Sequence, residues 1–242
     1  MLQLFNMSSS LIIQARMGSV RLPGKSLMKV GSKFLVDHVI ERCLNVSGID
    51  CIYLATTSLK EDDILVEHVK KKYQINIYRG SKFDVRSRFL EIAKIEKSDY
   101  IVRITGDDPF KDPAHISAGL EYLKQKKIDY VCNFQPRTLP IGMDFEIFTV
   151  CSLIKSVNQS SDSNDIEHVT WSMRSNKYNW LSINHSGFHP ETRLTVDTES
   201  DLIYCGQIAN ILDENLLDFS WDSTRIALNV SEKEDYEKNR ET

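Results

Sequence analysis

The stretch Leu11-Ile12-Ile13-Gln14-Ala15-Arg16-Met17-Gly18-Ser19-Val20-Arg21-Leu22-Pro23-Gly24-Lys25-Ser26 decides how the rest of the chain is read. It opens as a short apolar run and turns at once into a loop with two glycines, a proline and three cations. A run that is apolar at consecutive positions reads as a strand covered on both faces. A strand that empties into a glycine turn exposes backbone N–H groups, which is how an α/β sheet cradles phosphate. Two other phosphate loops fail on spacing. Five residues separate Gly18 from Gly24 where a Walker A loop has four, and no G-x-G-x-x-G is present.

Outward from this loop, β-branched runs alternate with amphipathic ones. Val36, Val39, Ile40, Cys43 and Leu44 recur at helical spacing. A strand over 51–56, a helix over 62–73, a strand over 75–78 and a helix through Val85, Phe89, Ile92 and Ala93 follow. The strand 100–105 leads to Asp112-Pro113, an N-cap with proline at the first helical position. A strand over 128–132 closes the series. Repeated βα units predict a doubly wound α/β fold with a mostly parallel sheet. Residues 133–148, with Pro136, Pro140 and Gly142 ahead of alternating Met143, Phe145 and Ile147, predict an extended arm or hairpin after the central strand. Beyond it, helices are expected over 152–157 and 166–175, strands over 180–183 and 193–196, and a helix through Leu202, Cys205, Ala209 and Leu212. The expected organisation is an N-terminal extension (1–9), one domain (10–230) with 133–148 as an inserted arm, and a charged, fraying tail (231–242).

Composition narrows the function classes. In 242 residues, 30 Lys and Arg stand against 34 Asp and Glu, a formal net charge of −4, which is no general nucleic-acid footprint. No apolar run approaches membrane-spanning length, and the N-terminus lacks a secretory pattern, so a cytoplasmic protein is expected. Five scattered cysteines without a C-x-x-C pair read as reduced thiols. His185 and His189 have a suggestive spacing, but nothing beside them completes a zinc site.

The chemistry gathers at predicted strand ends. Arg103-Ile104-Thr105-Gly106-Asp107-Asp108-Pro109 runs an apolar strand into Gly-Asp. Arg193-Leu194-Thr195-Val196-Asp197-Thr198-Glu199-Ser200-Asp201 repeats the pattern and opens a helix with the capping pair Thr198 and Asp201. Carboxyl ends of parallel strands share the ligand-binding edge. Asp107 and Asp197 facing the cations of the loop suit Mg²⁺ and a nucleoside triphosphate, because hard oxygen ligands plus substrate phosphates are what that ion takes. No cysteine is placed as a nucleophile.

These residues carry a resemblance. The segment Ile12 to Lys25 resembles the signature loop of the SpsF-like cytidylyltransferases, in the superfamily of the 3-deoxy-manno-octulosonate and acylneuraminate enzymes. The likeness extends through Ala55-Thr56-Thr57, Arg79-Gly80-Ser81, Asp84-Val85, Arg88, Arg103 to Pro109, Gly142 to Phe148, Glu167-His168-Val169-Thr170 and Thr195 to Leu202, over roughly residues 10–212. It implies a nucleotide-diphospho-sugar transferase-like fold, Mg²⁺ as cofactor, CTP as nucleotide donor and a homodimer built through the arm. Arg16, Gly18, Ser19, Arg21 and Lys25 would hold the triphosphate, with Gln14 and Ala15 as further nucleotide-binding positions. Thr56, Thr57, Gly80, Ser81, Arg88 and Arg103 would line the nucleotide pocket, with Arg88 and Arg103 also readable as structural ion-pair partners. Asp107 and Asp197 would hold the metal, and Arg16, Lys25, Asp107 and Asp197 would form the catalytic set. Asp144, Glu146, Glu167 and His168 are the acceptor candidates.

The sequence departs from the resemblance at Asp108, read as an extra ligand or, preferably, a solvated turn carboxylate, and at Ile141, which loosens any inference about the acceptor. The expected activity is Mg²⁺-dependent transfer of CMP from CTP to an acidic sugar or related small acceptor, with release of pyrophosphate, for surface polysaccharide or glycoconjugate synthesis. The alternatives are a GT-A glycosyltransferase, whose D-x-D spacing Asp107-Asp108 lacks, and a non-catalytic nucleotide-binding protein.

Overall fold

Leu11 and Ile13 face one side of the sheet and Ile12 the other, and all three are buried. A strand covered on both faces belongs at the centre of a sheet with helices on each side. In the computed structural model, which describes residues 7–184, 191–216 and 218–240 (without the side chains of 230 and 232–240), that strand is β1 (Ser9–Gln14). A small hairpin, β2 (Lys29–Val30) and β3 (Lys33–Phe34), leads into α1 (Leu35–Cys43). Next come β4 (Cys51–Thr57), α2 (Asp63–Lys72), β5 (Asn76–Gly80), α3 (Val85–Glu96), β6 (Tyr100–Thr105) and α4 (Pro113–Lys126). The second half contains β7 (Tyr130–Cys132), β8 (Glu146–Thr149), α5 (Val150–Gln159), α6 (Ser163–His168), β9 (Trp180–Ser182), α7 (Glu199–Glu214) and α8 (Trp221–Arg240).

The seven-stranded sheet has the order β5-β4-β1-β6-β8-β7-β9. All its pairings are parallel except those of β8, which runs antiparallel to both β6 and β7. Val36, Val39, Ile40 and Cys43 of α1 pack with Leu120 and Leu123 of α4 under Leu11, Ile13 and Val102. Phe89, Ile92 and Ala93 of α3 cover Ile12 and Ile101 on the opposite face. A third cluster joins Val30, Phe110, Met143, Leu194 and Val196 to Cys205, Ile208 and Leu212 of α7. Among the described residues no helix is long and apolar enough to cross a membrane.

The fold class agrees with the sequence reading, and the differences from it are local. The final residues of the predicted arm are β8, inside the main sheet, because Phe145 and Ile147 are buried against α4 instead of facing solvent. Residues 193–196 form no sheet strand. One isolated bridge joins Arg193 to Ile141, while Leu194 N–H donates to the Ile141 carbonyl and Val196 N–H to that of Asp107. Gly142, at φ 105°, permits this approach, since a Cβ there would lie 2.5 Å from the Leu194 carbonyl. The helix expected over 166–175 stops at His168, Val169 takes φ 66°, and Trp171–Arg174 forms a 3-10 turn. The charged segment after 231, expected to fray, continues α8. Residues 1–6 of the expected N-terminal extension, together with His185 and His189, lie outside the described residues.

Candidate active site

The loop after β1 is folded by its own backbone. Gly24 and Ser19 N–H groups donate to the Met17 carbonyl at 2.8 and 2.9 Å, and Ser26 Oγ donates to the Arg16 carbonyl. Among the described residues the N–H groups of Gly18, Val20 and Arg21 have no internal partner, which is the donor arrangement an oxyanion needs. The loop is tied down from below by Asp62, a fully buried carboxylate. It accepts from Met17 N–H at 2.6 Å and from the Thr57 N–H and hydroxyl. Sequence reading placed Asp62 only as the start of a helix. Its signal, an Asp five residues beyond Thr57, is indistinguishable from an ordinary cap.

β1 and β6 end side by side, and Gly106 makes this possible. Its N–H donates to the Gln14 carbonyl at 2.8 Å, and a Cβ would sit 2.6 Å from that of Ala15. Asp107 therefore emerges next to the loop. Asp197 arrives from the 193–196 segment and is fixed by the capping box of α7. Lys25 joins the pieces: its Nζ donates to Asp107 at 2.9 Å, Asp197 at 3.1 Å and the Val196 carbonyl at 2.7 Å. Arg21 and Arg193 add ion pairs to Asp197 at 2.9 and 3.1 Å. Burial pushes the Asp107 carboxyl up, but the charge and hydrogen bond of Lys25 prevail and hold it below its ordinary value.

A cavity of about 380 Å³ opens over this junction. Of the residues singled out in the sequence, Gln14, Ala15, Arg16, Ser19, Arg21, Lys25, Arg88, Arg103, Asp107 and Asp197 all line it. Arg88 is almost fully buried and donates to the Ala55 carbonyl at 3.0 Å, with Nε unpartnered. Burial and the nearby Arg16 pull its pKa down to about 10. Gly18, Thr56, Thr57, Gly80 and Ser81 do not line the cavity. Thr56 and Thr57 are fully buried in β4, Gly80 packs on the Arg88 stem, and Ser81 Oγ accepts from Phe83 and Asp84 N–H groups.

A second, smaller cavity of about 210 Å³ shares Arg103, Thr105 and His168 with the first, so the two adjoin. Asp144, Glu146 and His168 line it; Glu167 lines the larger one instead. Glu146 is fully engaged, by Arg103, by the Thr170 hydroxyl and by the Tyr130 hydroxyl at 2.7 Å. Burial opposes its ionisation, yet Arg103 and these hydroxyls hold its pKa below the usual value. Asp144 pairs with Arg137. Asp108 is a correction: it is a buried wall of the smaller cavity, not a solvated turn residue, and pairs with buried Lys111 at 2.7 Å. Burial pushes its carboxyl up to about 6, Asp107 and Asp144 add to that rise, and Lys111 opposes it. Adjacent in sequence, Asp107 and Asp108 thus serve different cavities.

Among the described residues no cluster of three or more His, Cys, Asp or Glu forms a ready metal cage. Asp107 and Asp197 nevertheless converge on one cation, the Lys25 ammonium. Two hard oxygen donors pointed at one position, with the rest open towards a phosphate cradle, fit a divalent ion that takes its remaining ligands from phosphate and water.

Comparison with known proteins places the same loop and strand ends in a family context. The cytidylyltransferase family profile matches residues 10–215. Spore coat polysaccharide biosynthesis protein SpsF of Bacillus subtilis is 34% identical over 207 residues, 78% of this chain and 81% of that protein. An uncharacterized protein of Methanocaldococcus jannaschii is 38% identical over 159 residues, 66% of this chain and 64% of that one. A solved cytidylyltransferase from Leptospira borgpetersenii superposes with a TM-score of 0.84 at 29% identity, over 95% of this chain and 96% of its own. The synthetase of CMP-2-keto-3-deoxy-manno-octonic acid, solved with CTP, shares the fold at TM-score 0.61 and 17% identity, covering 86% and 99%. With 206 consecutive residues inside the family profile, this chain belongs to the cytidylyltransferase family.

Proposed function

We propose that the chain transfers CMP from CTP to the hydroxyl of a small, acidic sugar-like acceptor, releasing pyrophosphate, with Mg²⁺ as cofactor. The observation that carries this reading is the junction at Lys25, where the loop, Asp107 and Asp197 meet at the floor of the larger cavity. The triphosphate lies along the free Val20 and Arg21 N–H groups, with Arg16, Arg21 and Lys25 neutralising the charge that builds on the leaving pyrophosphate. Asp107 and Asp197 would hold the metal, which would supply positive charge to the phosphates and make the acceptor hydroxyl more acidic. Lys25 then turns from the carboxylates to the phosphates. The acceptor oxygen bonds to the α-phosphorus as the bond to the bridging oxygen breaks, and the hydroxyl proton leaves to solvent. Arg103 and His168, at the boundary of the two cavities, orient the reacting groups; no covalent intermediate on the protein is involved.

The acceptor occupies the smaller cavity, walled by Asp108, Asp144, Glu146 and His168. The name of the Bacillus relative supports a place in surface polysaccharide or glycoconjugate synthesis. The reading includes a cytoplasmic homodimer with residues 10–230 as one catalytic unit, supported by the resemblance to CMP-sugar synthetases. Calorimetric titration tests the nucleotide half: with Mg²⁺, CTP should bind at least tenfold more tightly than ATP, GTP or UTP. Equal affinity for all four, or none, contradicts it.

A further inference from the structure

Where α6 ends, the backbone adopts a conformation that its side chain disfavours. Val169 stands at φ 66°, ψ −48°, and Thr170 N–H donates to the His168 carbonyl at 2.7 Å. A hydrogen bond spanning one residue with such dihedrals is the γ-turn of the rare, strained hand. Of the four non-glycine residues with positive φ among the described residues, only Val169 is β-branched, the side-chain type least at ease there. What holds it is burial. The Val169 side chain is fully enclosed in the cluster of Phe89, Phe148 and Met173. Its N–H donates to the Asp165 carbonyl at 3.0 Å, and the buried Asp165 carboxylate accepts from Ser172 N–H at 2.8 Å beyond the turn.

The turn decides which way its neighbours face. Two residues apart on a continuing helix, His168 and Thr170 would point about 200° apart. Here both line the smaller cavity while Val169 packs into the core. His168 also borders the larger cavity. Thr170 Oγ1 donates to Glu146, and Glu146 pairs with Arg103, a side chain that likewise borders both cavities. Backbone strain of this kind persists only where the surroundings over-determine it. We propose that Val169 is a positioning residue: its buried side chain holds the backbone in the γ-turn that seats His168, and the Thr170–Glu146–Arg103 chain, between the two cavities. This rests on those cavities being the nucleotide and acceptor sites of the proposed transfer.

Alanine and glycine at position 169 separate this role from simple packing. V169A keeps the backbone strain and loses most of the anchor; V169G loses the whole anchor but also the strain, because glycine takes positive φ freely. Packing alone ranks the chains Val, Ala, Gly. The γ-turn reverses the last two, so V169G should match or exceed V169A in urea midpoint. The His168 imidazole signal, assigned by its loss in H168Q and followed by NMR without ligand, should move in V169A and lie nearer its original place in V169G. CTP affinity in calorimetry should fall about fivefold or more in V169A and by less in V169G. In the unaltered chain, a strong NOE between the Val169 amide proton and its own Hα reads the positive φ without any substitution. A weak NOE there, a V169G midpoint clearly below that of V169A, or a His168 signal and CTP affinity unchanged in V169A would overturn the proposal. Failure of CTP to bind the unaltered chain would instead refute the nucleotide reading, and the midpoints and imidazole signal would still decide the turn.

Discussion

Glu146→Gln tests whether the wall between the cavities is built as described. The Arg103 and Glu146 side chains are only 11% and 7% exposed and pair directly, and Tyr130 and Thr170 complete the carboxylate's shell. The amide keeps the shape and some hydrogen bonds but leaves the guanidinium without its counter-charge. Breaking a buried pair on one side costs about 3–5 kcal/mol. Arg103 also reaches Gln14 Oε1 at 3.3 Å and borders two cavities, which favours the lower end, about 3 kcal/mol. Urea unfolding should report that loss at unchanged m-value, and melting should fall by roughly 6–12 °C for a chain of this size. Removing both charges with R103M/E146Q should lose clearly less than the two single variants together. A single E146Q variant within about 0.5 kcal/mol of the unaltered chain would refute a buried pair here.

Other outcomes follow from the same geometry. Asp107→Asn and Asp197→Asn should each abolish metal-dependent turnover while circular dichroism stays native; near-normal turnover in either removes it from the metal set. Lys25→Ala should weaken CTP binding far more than CMP binding in calorimetry, and equal losses would move Lys25 off the outer phosphates. Asp62→Ala, which strands the Met17 N–H and the Thr57 hydroxyl, should raise KM for CTP with a smaller change in kcat and cost about 1–3 kcal/mol of stability; an unchanged KM would show that the loop holds without it. His38 is buried with Nε2 2.7 Å from the Val30 carbonyl, and burial lowers its pKa below 6.5. Its contribution is present in full above pH 6.5 and is lost as pH falls through the lower folded value, so the urea midpoint should drop on acidification unless His38 is replaced by Gln.

The meeting of the loop, Asp107 and Asp197 was legible because its parts are local signals: an apolar run ending in glycines, Gly-Asp after Thr105, and the Thr198–Asp201 capping box that the structure contains. The missed features depend on long-range contact. Alternation at Phe145 and Ile147 is identical for a solvent-facing hairpin and for a strand inserted between β6 and β7; only the cover from α4 separates them. Asp108 looked like a turn residue because its partner Lys111 is charged too, and two charges in sequence do not announce that they are buried together. Asp62 carries no motif of its own. It acquires its place from Met17, 45 positions away, a proximity that folding creates.

The most direct test of cytidylyl transfer is pyrophosphate release by the purified chain with Mg²⁺, each nucleoside triphosphate in turn, and matched acidic and neutral sugar acceptors. The account predicts release with CTP and an acidic acceptor, lost in Asp107→Asn. Release that prefers another triphosphate, or that proceeds unchanged in Asp107→Asn, would contradict it.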